Sequence, residues 1–157
     1  PSWTPAMASL FAFLHFAAAF AVFAALAAEL VLTRNAFDVA TARRLLAVDR
    51  MFGIAAAVVL AAGLMRVFYF EKGPGYYFHS TPFIAKLAIF LLIGILSAYP
   101  TVQFLSWRAA LKRGVAPTVD DARMRRIRTV LHVEATLFVV LVLCASLMAH
   151  GVGFFGA

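Results

Sequence analysis

The chain has 157 residues, of which 64% are hydrophobic and 13% charged. An ordinary soluble domain is nearer 45–50% and about 25%, and the longest polar stretch here, around Arg108–Arg128, is too short to fold alone. The net charge of +7 does not indicate nucleic acid, because the charges sit at the ends of apolar runs and no folded basic surface carries them. The single cysteine, Cys144, excludes an intramolecular disulfide and any cysteine-based metal motif.

Four apolar runs cover roughly 6–33, 51–70, 83–107 and 129–149. Each is about the ~20 residues that a helix needs to cross ~30 Å of hydrocarbon. The expected fold is all-α: a four-helix bundle forming one membrane domain over 1–157, with helices over about 6–33, 49–70, 83–107 and 124–150. The first helix begins near Pro5, where a missing N–H costs little, with Trp3 before it as an interfacial anchor. No basic segment precedes this run and it is too long for a signal-peptide core, so it is expected to be a retained helix. Ala18, Ala21, Ala25 and Ala28 make a small-residue stripe on it, and Gly53, Ala56 and Gly63 a related stripe on the second helix. Such stripes let helices approach closely.

The connector after helix 1 holds Asn35, Asp38 and the Arg43-Arg44 pair; Asp38 is placed to cap a short helical turn. The middle connector reads EKGPGYYFHSTP, a turn signal followed by an aromatic belt at Tyr76, Tyr77 and Phe78. Pro100 is expected to kink helix 3 near Leu96–Pro100. The third connector carries Gly114 and Pro117 as breakers, then Asp120-Asp121 before helix 4.

The basic residues are sorted. Four (Arg34, Arg43, Arg44, Arg50) flank connector 1 and seven (Arg108, Lys112, Arg113, Arg123, Arg125, Arg126, Arg128) flank connector 3, so these account for eleven of the fourteen. The middle connector has Lys72 alone. The positive-inside rule puts connectors 1 and 3 in the cytoplasm and both termini on the non-cytoplasmic side, with the basic residues against anionic headgroups of the bilayer.

Function has to be read from the polar residues inside the runs. At 1.5 Å per residue, His15 lies roughly 12 Å below the outer boundary, and Arg66 and Lys86 about 6 Å below it. Glu29, Asp49, Arg50, Arg128, His132 and Glu134 form an inner layer whose charges are expected to pair as structural ion pairs. In the outer layer Arg66 and Lys86 have no acid at their depth, since Glu71 lies higher. Two readings stand. Both cations snorkel to headgroups while His15 makes an interhelical hydrogen bond; or the three form a ligand site. In the second, His15 ligates the iron of haem b while Arg66 and Lys86 bind its propionates. His132 counts about 13 Å deeper than His15, a poor second axial ligand, and His79 and His150 sit too high.

The segments FLHFAAAFAVFAALAAELVL, GLMRVFYFEKGPGYYFH, AKLAIFLLIGILSAYPTVQFL and RRIRTVLHVEA resemble a bacterial family of small four-helix membrane proteins that brings no activity with it. More distantly, Leu14-His15 in helix 1 and Ala85-Lys86-Leu87 opening helix 3 resemble the HemJ-type protoporphyrinogen oxidases and related membrane b-type cytochromes. That resemblance implies haem b at His15, a functional Lys86 and a multi-pass protein of the bacterial inner membrane. The chain departs from the pattern at Ile84 and at Tyr99-Pro100, where those proteins tend to carry histidines. These departures weigh against protoporphyrinogen oxidation and leave porphyrin binding open.

The resulting expectation is a haem b or porphyrin-binding protein acting in electron transfer or porphyrin oxidation. The alternative is a non-enzymatic accessory subunit with partner subunits in a larger membrane complex. A homo-oligomeric pore is a weaker third reading, because there is no inverted repeat.

Overall fold

The structure is a computed structural model, and it describes residues 4–34 and 36–153. Trp3, Asn35 and residues 154–157 lie outside the described residues.

Four long helices are apolar enough to cross a membrane, with mean hydropathies of 2.3, 2.1, 2.0 and 2.3 in chain order. Helix α1 is Pro5–Leu32, with proline in the first turn. Helix α2, Val39–Met65, continues into a five-residue π turn, Arg66–Phe70. A short α3, Pro74–Tyr77, lies in the middle connector. Helix α4 is Thr81–Ser106, α5 is Arg108–Lys112, and α6 is Asp121–Ala149.

Capping chemistry sets the starts. The Asp38 carboxylate accepts the Thr41 backbone N–H at 2.7 Å, and that of Asp120 accepts the Arg123 N–H at 2.6 Å. Both satisfy donors that a helix start leaves free. Asp38 therefore opens α2 itself, ten residues before the expected start at 49. The basic stretch Arg43–Arg50 is simply the first turns of a long helix. Gly73 takes φ 85° at the turn into α3, a conformation that side chains resist. Pro100 is buried inside α4, and the helix runs through it to Ser106.

The helices run antiparallel. Phe11 stacks on Phe70, and Phe23 meets Phe138. Thr101 on α4 reaches Asp49 on α2, and Thr81 N–H donates to Gly153 C=O beyond α6. The closest pairings are α1 with α2 and α4 with α6, while α2 and α4 touch more sparsely. One end of the bundle holds the middle connector, and the other holds the arginine-rich connectors; these are called the connector end and the basic end.

Small residues do mark the α1–α2 seam: Ala18, Val22 and Ala25 of α1 and Ala42, Ala55 and Val59 of α2 are all buried in one core cluster. Gly53 is the exception. It is exposed, and nothing lies within 4 Å of where its side chain would be. The α2 seam is instead Phe52, Ala55, Val59 and Ala62, at three- and four-residue spacing. Large apolar side chains point outward, with Phe13 66%, Phe20 75% and Ile95 72% exposed. In water such surfaces would be costly; in a bilayer they are the solvent-matched face.

Candidate functional site

His15, Arg66 and Lys86 come together. All three line one half-open cavity at the connector end, between α1, α2, α4 and α6. The enclosed space is about 130 Å³, and about 850 Å³ of empty space is bounded when the open mouth is included. The rest of the lining is mainly apolar, from Val59 and Leu64 on α2 to Phe90 on α4 and Phe138 on α6.

His15 is fixed from two sides. Its Nδ1 lies 3.1 Å from the Val59 carbonyl oxygen on α2. A carbonyl can only accept, so Nδ1 carries the proton and Nε2 is the basic nitrogen. Nε2 has no hydrogen-bond partner among the described residues. The ring also presents its Nδ1–Cε1 edge to Gly63: a Cβ there would stand 3.0 Å from His15 Cε1 and 3.1 Å from Nδ1. Gly63 is therefore the space that the imidazole occupies. The interhelical hydrogen bond expected of this histidine is present, and it leaves the other nitrogen free for a ligand.

Arg66 differs from the expectation that no acid reaches it. Its Nε and Nη2 both donate to Glu71 Oε1, at 3.2 and 2.5 Å. The cause is the π turn. The Glu71 backbone N–H bonds the Arg66 carbonyl at 2.9 Å, five residues back, which folds the acid down beside the guanidinium. Tyr77 adds a third member by donating its hydroxyl to Glu71 Oε2 at 3.2 Å. Burial, together with the Glu71 charge, pushes the Tyr77 phenol up to about 12, so it remains a donor throughout the physiological range. Tyr77 thus faces inward, packed on Phe83, and is not part of a surface belt.

Lys86 has no ion-pair partner among the described residues. Its Nζ lies 5.5 Å from the centroid of the Phe83 ring. The cavity thus pairs one free cation with one free imidazole nitrogen, next to a neutralised Arg66–Glu71–Tyr77 clasp.

The other histidines are engaged elsewhere. His132 Nδ1 donates to the Arg128 carbonyl at 2.7 Å, and its Nε2 faces Arg34 Nη2 at 3.4 Å. His79 and His150 bond the carbonyls of Gly75 and Ser146. None of them lines the cavity. Among the described residues, no group of three or more His, Cys, Asp or Glu side chains is arranged to hold a metal ion.

The expected pairing of the inner layer is not found. Among the described residues the ion pair is Arg66–Glu71, at the other end of the bundle. Asp49 accepts the Thr101 hydroxyl at 2.7 Å, and Glu29 and Glu134 are buried without a cation. Arg50, Arg123, Arg125 and Arg126 are exposed, on helices whose inward faces hold the acids, and Arg128 is half-buried.

A helical membrane bundle with a mainly apolar cavity that carries a few polar side chains is the class defined by this architecture. The chain belongs to the DUF2214 family of predicted membrane proteins, whose model matches residues 7–153. No curated protein and no solved structure matches the chain.

Proposed function

We propose that the connector-end cavity binds haem b or a porphyrin of similar size, held by His15 and Lys86. The observation that carries this reading is the His15 tautomer. An imidazole whose Nδ1–H is tied to a backbone carbonyl and whose Nε2 is free is the arrangement that metal-ligating histidines adopt. The lone unpaired cation of the cavity suits an acidic substituent on the same ligand.

The donors fit such a group, and the size sets a condition. An enclosed volume of about 130 Å³ is below the roughly 300–1,000 Å³ of pockets that engulf a small molecule. A macrocycle would enter edge-first, with its bulk in the open mouth. His15 would hold the iron, Lys86 would take one propionate, and Arg66, already shared with Glu71, would contribute less. When bound, the group would supply one-electron chemistry, in electron transfer or porphyrin oxidation. By the positive-inside rule the basic end faces the cytoplasm of a bacterial inner membrane and the cavity lies toward the outer face.

The test is an absorption spectrum of the detergent-purified protein, oxidised and then reduced, made with adequate haem supply. A Soret band with sharp reduced α and β bands is expected, and His15→Ala should remove it. A protein that is fully folded and colourless would turn the reading toward an accessory subunit of a larger membrane complex. A band that survives His15→Ala would place the ligand elsewhere.

A further inference from the structure

The basic end holds a second polar assembly, remote from the cavity. Glu29 on α1, Asp49 on α2 and Glu134 on α6 are all buried, Glu29 to 2% and Glu134 to 1% exposure. Oε1 of Glu29 and Oε1 of Glu134 are each shut off from solvent with no hydrogen-bond partner. Asp49 has its bond from Thr101, on α4. All four long helices therefore contribute one polar side chain to this point. The carboxyls feel one another's charge: Glu29 that of Asp49 and Glu134, and Glu134 that of Asp49.

The surroundings offer no compensation. On α1, the next charged residue is Arg34, past the helix end and turned to His132. On α2, Arg50 follows Asp49 but is exposed. On α6, His132 is occupied by Arg34 and the Arg128 carbonyl, and Arg128 Nε is itself buried without a partner. On α4, no charged residue lies between Lys86 and Arg108. No cation stands within ion-pair distance of the three acids among the described residues, and no metal-holding arrangement exists there.

Like charges that share a site cannot all ionise, and an acid inside a span needs a partner or a role. A proton relieves an acid so placed of its charge and gives it a hydrogen-bond donor. We propose that Glu29, Asp49 and Glu134 form a proton-binding site, which at neutral pH holds protons on these carboxyls in place of three negative charges. Binding is a plain protonation: a carboxylate oxygen takes one proton from the medium and becomes an O–H donor. That donor can then use a neighbouring carboxyl oxygen that otherwise has no partner.

The site is independent of the haem reading. Between His15 and Glu29 the buried face of α1 is Ala18, Val22, Ala25 and Leu26, about 21 Å of apolar helix at 1.5 Å per residue. No proton path joins the two along that face, and Glu29 is within a turn of the basic end. Exchange is therefore with the medium on the basic side.

Infrared spectroscopy of the purified full chain at pH 7, in H2O and D2O, tests this. The wild type is expected to show the carbonyl stretch of protonated carboxylic acids, shifted in D2O. Glu29→Gln and Glu134→Gln should each reduce that band, and Glu71→Gln, in the remote clasp, should leave it unchanged. A folded wild type with no such band at pH 7 overturns the proposal. So does a band that persists undiminished in Glu29→Gln, Glu134→Gln and Asp49→Asn. If the glutamine variants do not fold, titration of the wild type alone decides: a band that appears only in acid overturns it.

Discussion

At the connector end, a cation in the apolar layer is met by an acid five residues away, and a tyrosine hydroxyl completes the group. At the basic end, three acids are buried with no cation in ion-pair contact, while Arg34 turns to a histidine, Arg50 is exposed and Arg128 keeps a buried Nε without a partner. Charge count would suggest the reverse, since eleven cations flank the basic end and three lie elsewhere. The comparison teaches that pairing inside a bundle follows the direction of side chains and not the local abundance of charge. On α6, Arg125 and Arg126 lie on the exposed face, while Met124, Ile127, Leu131 and Glu134 form the inward stripe.

The largest effect that would break this contrast is expected at Gly63. Gly63→Leu would drive a side chain into the His15 ring, at a cost of about 1–3 kcal/mol for overpacking. It should abolish the Soret band as fully as His15→Ala, and thermal melting followed by circular dichroism would show the loss of stability. Next is Thr101→Val, which removes the hydrogen bond to Asp49. About 1 kcal/mol of destabilisation is expected, with a shift in the infrared carboxyl band, read from the same melts and spectra.

Glu71→Gln is a smaller change. The ion pair is partly exposed, 22% and 33% for its two side chains, so its loss should cost under about 1 kcal/mol. It frees Arg66, and haem titration should show tighter binding of the anionic ligand. An unchanged affinity would mean that Arg66 does not reach the ligand in either form. The smallest effect concerns Asp38, whose carboxyl is held below its ordinary value, first by the Thr41 N–H. A lowered carboxyl gives stability at neutral pH that is lost as pH falls through the lowered value. Asp38→Asn keeps the cap and lacks the charge, so it should flatten the acid limb of a stability–pH curve and leave pH 7 nearly unchanged.

The four spans were plain in the sequence because length and apolar content alone define them. So was the gathering of His15, Arg66 and Lys86, because depth along a helix is simple arithmetic. Glu71 was misjudged, since a regular helix would have carried it away from Arg66 and a π turn leaves no clear compositional mark. Gly63 was read as helix packing and is a slot for an imidazole, a distinction that needs the rotation of α1 against α2. The α2 start was placed late because Asp38 and the arginines resemble a loop, although the cap geometry continues into one helix. The acids of the basic end looked paired because the sequence shows which charges share a layer and not where they point.

The π turn has a consequence for insertions and deletions. It accommodates one residue more than a regular helical turn at Arg66–Phe70. Removing one residue there would let α2 close as an ordinary helix and leave Glu71 four residues from Arg66, a spacing that keeps both on one face. The same sequence wound as a plain helix, with no residue removed, would instead carry Glu71 off Arg66. The winding of this short stretch, more than its composition, decides whether the cavity holds one free cation or two.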